Sequence, residues 1–280
     1  MKISIIMTAY NIENYISEAI DSCLNQTYKD IELIIVEDCS TDKTKEIVQE
    51  YEKKYPIKVI YHEENLGAGM GRRHGIEAAT GDYFITIDGD DWIDPTFIES
   101  LANKAIETGS DIVSGGITVE RGNGYWESTC YGNLIIEDKH EQVLKFWGEK
   151  IVFMNNKIIR RTLGDIIPYC QRRFIEDTPV IVPMLWLANK VAYVENTGYH
   201  YRMLETSLTH QADPFKYALY RALCMQDLID FFKTNDIELF NKIPFAQTLQ
   251  EQLDIIKSVK NKPIYKYLDA WIEFTTRIFS

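Results

Sequence analysis

Short β-branched runs alternate with helical segments through residues 1–110, and this alternation limits the possible folds more than any other feature of the chain. Four apolar runs predict strands, at residues 3–7, 31–36, 57–61 and 83–87. Helices are predicted between them, at residues 16–24, at 41–55 and, after a glycine-rich opening at 65–71, up to about 79. Strands separated by helices predict an α/β fold, with a mixed, mostly parallel sheet and helices on both faces.

The second half of the chain has a different character. Residues 111–201 mix strand and helix signals, with β-structure predicted over 117–136 and a buried helix over 176–188. The remaining sequence is helical in pattern and rich in aromatic residues. We therefore predict an α/β domain at 1–210, followed by a small C-terminal helical region at 211–280.

The charge of the chain limits its partners. It carries 42 acidic and 30 basic side chains among 280 residues, for a formal net charge of −12. This argues against a nucleic-acid partner, because basic surfaces bind the polyphosphate backbone, but it allows a small phosphorylated ligand held by local cations. No apolar run is long enough to span a membrane, and residues 1–4 lack a signal-peptide pattern, so we expect a cytoplasmic protein.

The densest group of carboxylates, Asp-Gly-Asp-Asp at residues 88–91, follows the fourth predicted strand. In open parallel sheets the carboxyl ends of the strands share one edge, where ligands bind. Three polar strand ends are predicted to meet there, at residues 8–11, 37–40 and 88–91. Alternate carboxylates suit Mg²⁺ or Mn²⁺, which in turn binds a diphosphate. The alternative is a solvated turn, with Asp91 or Asp94 capping a helix that begins at Pro95.

Asp38 ends the second predicted strand, so it is expected at the same edge of the sheet. Its carboxylate is suited to accept a hydrogen bond from the N3–H of uracil, a donor that cytosine lacks at that position. The alternative is a local turn, in which the Asp38 side chain bonds to the backbone of residues 39–42. The residue by itself favours neither interpretation.

The segment 65–73 contains three glycines followed by Arg72 and Arg73. Glycines allow a backbone to approach phosphates, and a helix N-terminus favours anions. The segment is neither a Walker loop nor a dinucleotide fingerprint, because no strand directly precedes the glycines and the Walker lysine is missing. The two arginines are local cations suited to a diphosphate. The alternative is a flexible turn with arginines on the surface.

Glu176 and Asp177 stand at the start of the buried apolar helix. Acidic residues at a helix start are usually caps or partners of the helix dipole. The functional alternative is a general base at the mouth of the pocket. The pair taken alone favours the structural role.

A last polar group combines Tyr-His-Tyr-Arg at residues 199–202 with Ser207 and His210. The guanidinium of Arg202 is suited to bind an outer phosphate as a planar fork. His200 or His210 is a candidate to complete a metal shell. A single histidine is more often structural, so this metal role is the weaker interpretation.

These segments, taken in order, resemble the motifs of the family-2 glycosyltransferases, whose catalytic domain has the GT-A fold. The resembling motifs stand at residues 4–11, 25–28, 38–42, 71–83, 88–92, 156–157, 176–178 and 199–202. The resemblance covers about residues 1–210 and does not extend to the C-terminal helices. It implies a GT-A catalytic domain with a nucleotide-sugar-binding half at 1–110 and an acceptor half at 111–210.

The resemblance implies an inverting, metal-dependent transfer of a sugar from a nucleotide-diphosphate donor, most often UDP-linked, to an acceptor hydroxyl. It makes Asp177 the catalytic base, with Glu176 beside it, and Asp38 the contact to uracil. The implied donor-binding residues are Thr8, Tyr10, Asp38, Arg72, Asp88, Gly89, Arg202 and Ser207. The implied ligands of Mn²⁺ or Mg²⁺ are Asp90, Asp88 and His210.

The family context also implies an acceptor class and a location. A glycan, a lipid-linked molecule or a protein would accept the sugar, in the synthesis of a bacterial-type surface polysaccharide or glycoconjugate. An enzyme of this kind works in the cytoplasm or at the inner face of the membrane, through a peripheral contact. For the aromatic C-terminal helices we favour packing, on the catalytic domain or on a second copy in a homodimer, over an acceptor platform or a membrane-surface contact.

The sequence departs from the family pattern at three positions. Thr8 stands where a proline is usual, Cys39 where a glycine is usual, and Arg73 where an asparagine is usual. Two other classes of protein remain open. A nucleotidyltransferase of the same fold would consume a nucleoside triphosphate and release pyrophosphate. A non-catalytic subunit would bind the nucleotide sugar without transferring it.

Overall fold

The computed structural model describes residues 1–120, 126–148, 153–166, 177–204, 214–245, 247–248, 251 and 254–255. The chain divides into two compact units, Met1–Leu204 and Glu205–Ser280. The larger unit is an α/β domain, and the smaller unit is helical where it is described. The domain boundary placed near residue 211 from sequence stays a prediction.

The larger unit alternates strands and helices, as the sequence pattern predicts. Its strands are β1 (Ile3–Ala9), β2 (Ile31–Glu37), β3 (Lys58–Tyr61), β4 (Tyr83–Asp88), β5 (Trp92–Ile93), β6 (Ile112–Ser114), β7 (Ile117–Glu120), β8 (Trp126–Thr129), β9 (Ile135–Ile136), β10 (Lys157–Arg160), β11 (Val191–Tyr193) and β12 (Tyr199–Tyr201). Its helices are α1 (Ile16–Leu24), α2 (Thr44–Lys54), α3 (Ala68–Ala78), α4 (Phe97–Thr108), α5 (Lys139–Gly148), α6 (Arg161–Ile166) and α7 (Thr178–Leu187).

Eight of these strands form a central mixed sheet in the order β3-β2-β1-β4-β10-β6-β11-β9. The first four strands are parallel, and β10 runs antiparallel to both β4 and β6. Strand β11 returns parallel to β6. The predicted α/β class with a mixed, mostly parallel sheet is therefore confirmed.

Helices cover both faces of the sheet, which is why β1 and β4 are buried along most of their length. Ile3, Ile5 and Met7 of β1 belong to a buried cluster that also contains residues of α1 and α4. Ile6 points to the opposite face, where it meets Gly75 of α3. A Cβ at Gly75 would lie 2.2 Å from Cγ2 of Ile6, so only glycine lets α3 lie this close to the sheet.

The carboxyl ends of β1, β2 and β4 lie side by side. Thr8 pairs with Asp88 across β1 and β4. The ladder continues past the strand ends, because the N–H groups of Asp38 and Gly89 donate to the carbonyls of Ala9 at 2.9 Å and Thr8 at 3.0 Å. A Cβ at Gly89 would lie 2.9 Å from the Thr8 carbonyl oxygen, so this approach requires glycine. The predicted meeting of three polar strand ends is confirmed.

A second sheet has the order β5-β12-β7-β8. Strand β5 directly follows the acidic segment 88–91 and pairs antiparallel with β12, placing Trp92 opposite His200. The residues predicted as β-structure over 117–136 contribute β7 and β8 to this sheet and β9 to the central one. Strand pairing thus brings the segment 199–202 next to the carboxylates of 88–91.

One predicted helix start is wrong. Helix α4 begins at Phe97, with Thr96 at the N-cap position, and not at Pro95. The Asp94 carboxylate does not cap the helix but lies 2.9 Å from Nε2 of His200 on β12. The Asp94 side chain, which the local pattern predicts as a helix cap, is therefore engaged in a contact with a distant strand.

The smaller unit contains helices α8 (Pro214–Asn235) and α9 (Ile237–Lys242). Asp236 caps α9 by accepting a hydrogen bond from the backbone N–H of Leu239 at 3.0 Å. Aromatic side chains pack between the helices and the following residues, with the rings of Phe232 and Phe245 6.2 Å apart. Within the described part of the chain, no helix combines the length and the apolar character needed to cross a membrane.

Candidate active site

Arg72 joins two carboxylates from distant parts of the chain. Its Nη2 donates to Oδ1 of Asp88 at 2.8 Å, and its Nη1 donates to Oδ1 of Asp177 at 2.6 Å. The Arg72 side chain is 5% exposed, so the alternative of a surface arginine is wrong for this residue. Arg73, by contrast, is a surface arginine: its side chain is 40% exposed and pairs with Glu77 on the same helix. One guanidinium thus connects the end of β4 to the start of α7.

Asp177 occupies the N-cap position of α7, but its side chain makes no capping hydrogen bond. Its Oδ1 accepts from Arg72, and its Oδ2 accepts a long bond of 3.4 Å from the backbone N–H of Met154. Burial raises the pKa of Asp177, Arg72 opposes that rise, and the neighbouring Asp88 adds to it. The side chain is therefore not a cap, and a carboxylate with a raised pKa suits a general base.

A chain of hydrogen bonds runs from β4 to β12. Nδ2 of Asn155 donates to Oδ2 of Asp88 at 2.7 Å and to the hydroxyl oxygen of Tyr199 at 3.1 Å. The Tyr199 hydroxyl donates to Oδ2 of Asp91 at 2.6 Å, and Oδ1 of Asp91 accepts from the backbone N–H of Arg202 at 2.9 Å. Asp91, Asn155 and Tyr199 are all buried. Asp91 therefore holds β12 in place, and the alternative that it caps a helix is wrong.

The carboxylates at the end of β4 create a strongly negative environment. Burial and the adjacent Asp88 raise the pKa of Asp90 to about 6. Burial, Asp90 and Asp88 raise the pKa of Asp91 well above its usual range. Within the described residues no ion pair neutralises Asp90. Hard carboxylate oxygens at such a position fit a divalent cation such as Mn²⁺ or Mg²⁺.

The described residues do not form a complete metal shell. Among them, no three His, Cys, Asp or Glu side chains are grouped so that they could hold a metal ion. Asp88 ends β4 and Asp90 follows two residues later, but Asp88 is already bonded to Arg72 and Asn155. The third predicted ligand, His210, lies outside the described residues. The metal assignment therefore stays a prediction, supported by the two aspartates.

Asp38 is buried at the end of β2 and accepts hydrogen bonds from another loop. Its Oδ1 accepts from the backbone N–H of Leu66 at 2.8 Å and lies 2.6 Å from Nδ1 of His62. Its Oδ2 accepts from the backbone N–H of Gly67 at 2.8 Å. The local-turn alternative is wrong for Asp38, because both of its carboxylate oxygens accept from the loop at residues 66–67. The local bond is made by Glu37 instead, whose side chain accepts from the backbone N–H of Ser40.

Cys39 adopts the left-handed conformation that glycine favours. Its φ is 60°, which lies in the left-handed region that residues other than glycine rarely adopt. Its Sγ lies 3.4 Å from the carbonyl oxygen of Glu63. The position at which the family pattern has a glycine is therefore one where glycine would be the less strained residue.

The other predicted donor-binding residues lie near this edge with different surroundings. Oγ1 of Thr8 lies 3.4 Å from Oδ1 of Asp88, and Tyr10 is 44% exposed just beyond β1. Arg202 reaches the acidic segment through its backbone, while its guanidinium pairs with Glu18 at 2.9 Å. That guanidinium also lies over aromatic rings of its neighbours, those of Tyr15 and Trp92. Its role as a phosphate ligand stays a prediction.

Three predicted site residues, Glu176, Ser207 and His210, lie outside the described residues, so their roles also stay predictions. The structure adds site residues that the sequence motifs did not single out: Asn155, His62 and His74. Asn155 precedes the Asn-Lys pair of the family resemblance by one position, and that adjacency was the available signal. No local pattern marks His62, which acts on Asp38 from the end of a different strand.

Lys157 is a buried cation behind the site. Its side chain is 1% exposed, and Nζ donates to Oδ1 of Asn156 at 2.6 Å and to the carbonyl of Phe153. Burial lowers its pKa from 10.5 to about 7, and Asp177 opposes that change. Between those two values the unfolded chain binds a proton that the folded chain has released. The Lys157 contribution therefore makes the free energy of unfolding rise with pH in that window.

We expect a pH-dependent stability difference between wild type and the Lys157→Met variant. Below about pH 7 the buried charge destabilises the wild type most. From about pH 7 to about pH 10, the free energy of unfolding of the wild type should rise relative to that of Lys157→Met by about 1.4 kcal/mol per pH unit. Chemical denaturation at three pH values measures this slope. Lys190→Met is the control, because Lys190 is 30% exposed and pairs with Glu137. A difference that is flat with pH for Lys157→Met contradicts the expectation.

Comparison with known proteins agrees with this architecture. The profile of the family described as Glycosyl transferase family 2 matches residues 4–166, more than half of the chain. Glycosyltransferase GlyA of Streptococcus pneumoniae is 28% identical over 219 residues, which are 74% of this chain and 31% of GlyA. The minor teichoic acid biosynthesis protein GgaB of Bacillus subtilis is 28% identical over 285 residues, covering 98% of this chain and 31% of GgaB. The chain thus spans about a third of each of these relatives.

A solved structure shows the same fold. The crystal structure of S. aureus TarS 1-349 in complex with UDP-GlcNAc superposes with a TM-score of 0.72 and 25% identity, covering 94% of this chain and 77% of that one. The mostly parallel central sheet with helices on both faces, together with the likeness to TarS, matches the GT-A fold. The chain belongs to the family-2 glycosyltransferases. This membership argues against the nucleotidyltransferase alternative, whereas the non-catalytic alternative is tested by the release assay described below.

Proposed function

We propose that the chain catalyses the inverting, metal-dependent transfer of a sugar from a UDP-linked donor to an acceptor hydroxyl. The observation that carries the proposal is the bridge of Arg72 between Asp88 and Asp177. The bridge joins Asp177, a candidate base with a raised pKa, by hydrogen bonds to the acidic end of β4. A donor held at that end would present its anomeric carbon to an acceptor activated at Asp177.

The proposed reaction is a single displacement. Asp177 accepts the proton of the acceptor hydroxyl, whose oxygen attacks the anomeric carbon from the face opposite the leaving group. The new carbon–oxygen bond forms as the bond to the diphosphate breaks, and the nucleoside diphosphate departs, so the configuration inverts. Oδ2 is the oxygen suited to take the proton, because Oδ1 already accepts the short bond from Arg72. Arg72 keeps the carboxylate oriented throughout.

Asp90, together with Asp88, would hold the divalent cation. When bound, Mn²⁺ or Mg²⁺ neutralises the charge that develops on the departing diphosphate. Asn155 and Tyr199 hold Asp88 and Asp91 in position by hydrogen bonds, so the acidic end of β4 is ordered by the protein itself. The raised pKa of Asp90 supports the assignment, because closely spaced carboxylates repel each other until a cation binds.

Two observations support a UDP-linked donor. The Asp38 carboxylate is held as a hydrogen-bond acceptor at the sheet edge, which suits the N3–H of uracil. The structurally similar TarS chain was solved with UDP-GlcNAc. The sugar is left to experiment, because donor choice depends on side chains of the pocket that no motif identifies.

The acceptor and the cellular context are proposed on the same basis. The name of GgaB, a minor teichoic acid biosynthesis protein, supports a role in surface polysaccharide or glycoconjugate synthesis. The acceptor would be a glycan, a lipid-linked molecule or a protein, and the chain would act in the cytoplasm or at the inner face of the membrane. Peripheral membrane contact and a homodimer through the C-terminal helices stay predictions.

A release assay tests the proposed function directly. The protein is incubated with Mn²⁺ and a panel of UDP- and GDP-sugars, and free nucleoside diphosphate is measured with and without simple glycoside acceptors. We expect release of nucleoside diphosphate from at least one UDP-sugar. A parallel reaction with UTP and a sugar 1-phosphate should release no pyrophosphate, which a nucleotidyltransferase would produce. Binding of UDP without release from any donor would support the non-catalytic alternative instead.

The Asp90→Asn variant tests the metal assignment. We expect it to weaken Mn²⁺ binding at least about tenfold, because the substitution removes one of two charged oxygen ligands, and to lose transfer with it. Titration of Mn²⁺ followed by electron paramagnetic resonance measures binding independently of activity. Asp82→Asn is the control, because Asp82 is an exposed carboxylate just before the opposite end of β4. Unchanged Mn²⁺ binding by Asp90→Asn contradicts the assignment.

A further inference from the structure

A line of three side chains leads from the sheet edge to α3. Nδ1 of His62 lies 2.6 Å from Oδ1 of Asp38, and Nε2 of His62 lies 2.9 Å from Nδ1 of His74. The side chains of Asp38 and His62 are each 6% exposed. His62 directly follows β3, and His74 lies on α3 two residues after Arg72. Three separate elements therefore converge on the proposed base-recognition carboxylate.

The hydrogen positions in this line follow from the donors around Asp38. Its carboxylate takes two backbone N–H bonds, from Leu66 and Gly67, and so acts as an acceptor. Nδ1 of His62 must then carry its hydrogen towards Asp38. In neutral His62 the other nitrogen, Nε2, is an acceptor, so Nδ1 of His74 must donate to it. With both rings neutral, the hydrogen bonds of this line run in one direction, from His74 through His62 to Asp38.

The donors leave one open position on Asp38. Oδ1 is approached by both His62 and the N–H of Leu66, whereas Oδ2 accepts only the bond from Gly67 among the described residues. A carboxylate oxygen accepts two hydrogen bonds, so Oδ2 can take one more. A carboxylate held in this state accepts from an N–H donor such as uracil N3–H. It has no hydrogen to offer to the unprotonated N3 of cytosine.

We propose that His62 and His74 are positioning residues that hold Asp38 as an oriented acceptor and so determine the choice of nucleobase. The proposal rests on the proposed function, in which Asp38 faces the base of a nucleoside diphosphate. His62 supplies a donor from inside the fold, and His74 holds the His62 ring in the required tautomer. The same helix carries Arg72, so α3 supports both the base-binding end and the reactive end of the site.

Matched amide substitutions separate this role from simple packing. The side-chain nitrogen of asparagine occupies the place of histidine Nδ1, and that of glutamine occupies the place of Nε2. We expect His62→Asn to keep UDP affinity within about twofold of wild type, since it retains the donor to Asp38. We expect His62→Gln to weaken UDP binding about tenfold, the loss of one hydrogen bond to a charged group, and to lower the preference for UDP over CDP about fivefold.

Isothermal titration with UDP and CDP gives both quantities. His74→Leu, which removes the second donor, is expected to weaken UDP binding about threefold, whereas His74→Asn restores it. His140→Asn, on α5, is the control for loss of a histidine elsewhere. Equal UDP affinity and equal selectivity in His62→Asn and His62→Gln overturn the proposal, as does an equal loss for both nucleotides. If wild type binds neither nucleotide, the proposed function fails, and the inference fails with it.

Nitrogen-15 spectra of the histidine rings show which ring nitrogens of His62 and His74 carry hydrogen. The measurement needs neither a ligand nor a variant. We expect His62 and His74 to be neutral near pH 8 with hydrogen on Nδ1 in both rings. Hydrogen on Nε2 of His62 would overturn the proposal even if UDP binds well. In that case the proposed function stands, and Asp38 is held by the backbone alone.

Discussion

The Asp177→Asn variant should lose transfer by about a thousandfold while keeping its affinity for UDP. Asparagine has nearly the same shape, and its side-chain oxygen can still accept the bond from Arg72. It cannot take a proton from the acceptor, and general-base catalysis typically contributes a factor of 10² to 10⁴, that is, about three orders of magnitude. The turnover rate and the UDP dissociation constant, measured on the same preparation, separate these two effects.

Asp165→Asn is the matched control for this experiment. Asp165 is a 52% exposed carboxylate on α6 that pairs with Arg161 at 3.3 Å, so its loss should leave turnover unchanged. Wild-type turnover in Asp177→Asn would show that another group takes the proton. A large loss of UDP affinity in the same variant would show instead that Asp177 acts mainly in donor binding.

The second large effect is expected from Arg72→Gln. Removing the guanidinium leaves Asp88 and Asp177 facing each other without their shared cation, and breaking a buried ion pair in this way typically costs about 3 to 5 kcal/mol of stability. We expect the lower end of that range, because both carboxylates keep some contact with solvent. Chemical denaturation measures the free energy of unfolding.

Arg72→Gln should also change the pH dependence of transfer. Arg72 lowers the pKa of Asp177, so its removal lets burial and Asp88 raise that pKa further. A base must be unprotonated to act, so the acid limb of the pH–rate profile should move to higher pH. The proposed Mn²⁺ binding at Asp88 and Asp90 is measured separately, so that a change in metal affinity is not mistaken for a change in the pKa of the base.

Arg73→Gln provides the comparison for both measurements. Arg73 is the next residue on α3, but it is exposed, and its ion pair among the described residues lies within its own helix, with Glu77 at 2.8 Å. Pairs of this kind contribute less than about 0.5 kcal/mol. Equal effects of Arg72→Gln and Arg73→Gln on stability and on the pH profile would contradict the role assigned to the bridge.

The sequence anticipates the strands and the shared edge because both depend on local pattern. Strands covered on both faces are apolar over most of their length, so β1, β2 and β4 begin where their apolar runs begin and extend one or two residues beyond them. Parallel strands in one sheet end on the same side, and the polar residues after each run therefore had to meet. The acidic segment 88–91 could be placed from these two facts alone.

Contacts between distant residues decided against the local-turn interpretation of Asp38 and the helix-cap interpretation of Asp94. Asp38 is bonded to a loop that begins about thirty residues later in the chain, and Asp94 is taken from its helix by His200. Asn155, which joins Asp88 to Tyr199, belongs to a segment 67 residues beyond Asp88. No local pattern encodes such pairings, because they depend on how closely the elements approach one another.

The sequence by itself determined the α/β class, the sheet edge where the polar strand ends meet and the carboxylates gathered there, since hydrophobic periodicity and strand direction are properties of short segments. Only the tertiary structure decided that Arg72 is a buried bridge and Arg73 a surface residue, although the two are adjacent. It likewise decided that Asp177 faces Arg72 and that His62 faces Asp38. The physical reason is burial. A charged or polar group withdrawn from water must find its partner within the fold, and that partner comes from whichever element packs against it.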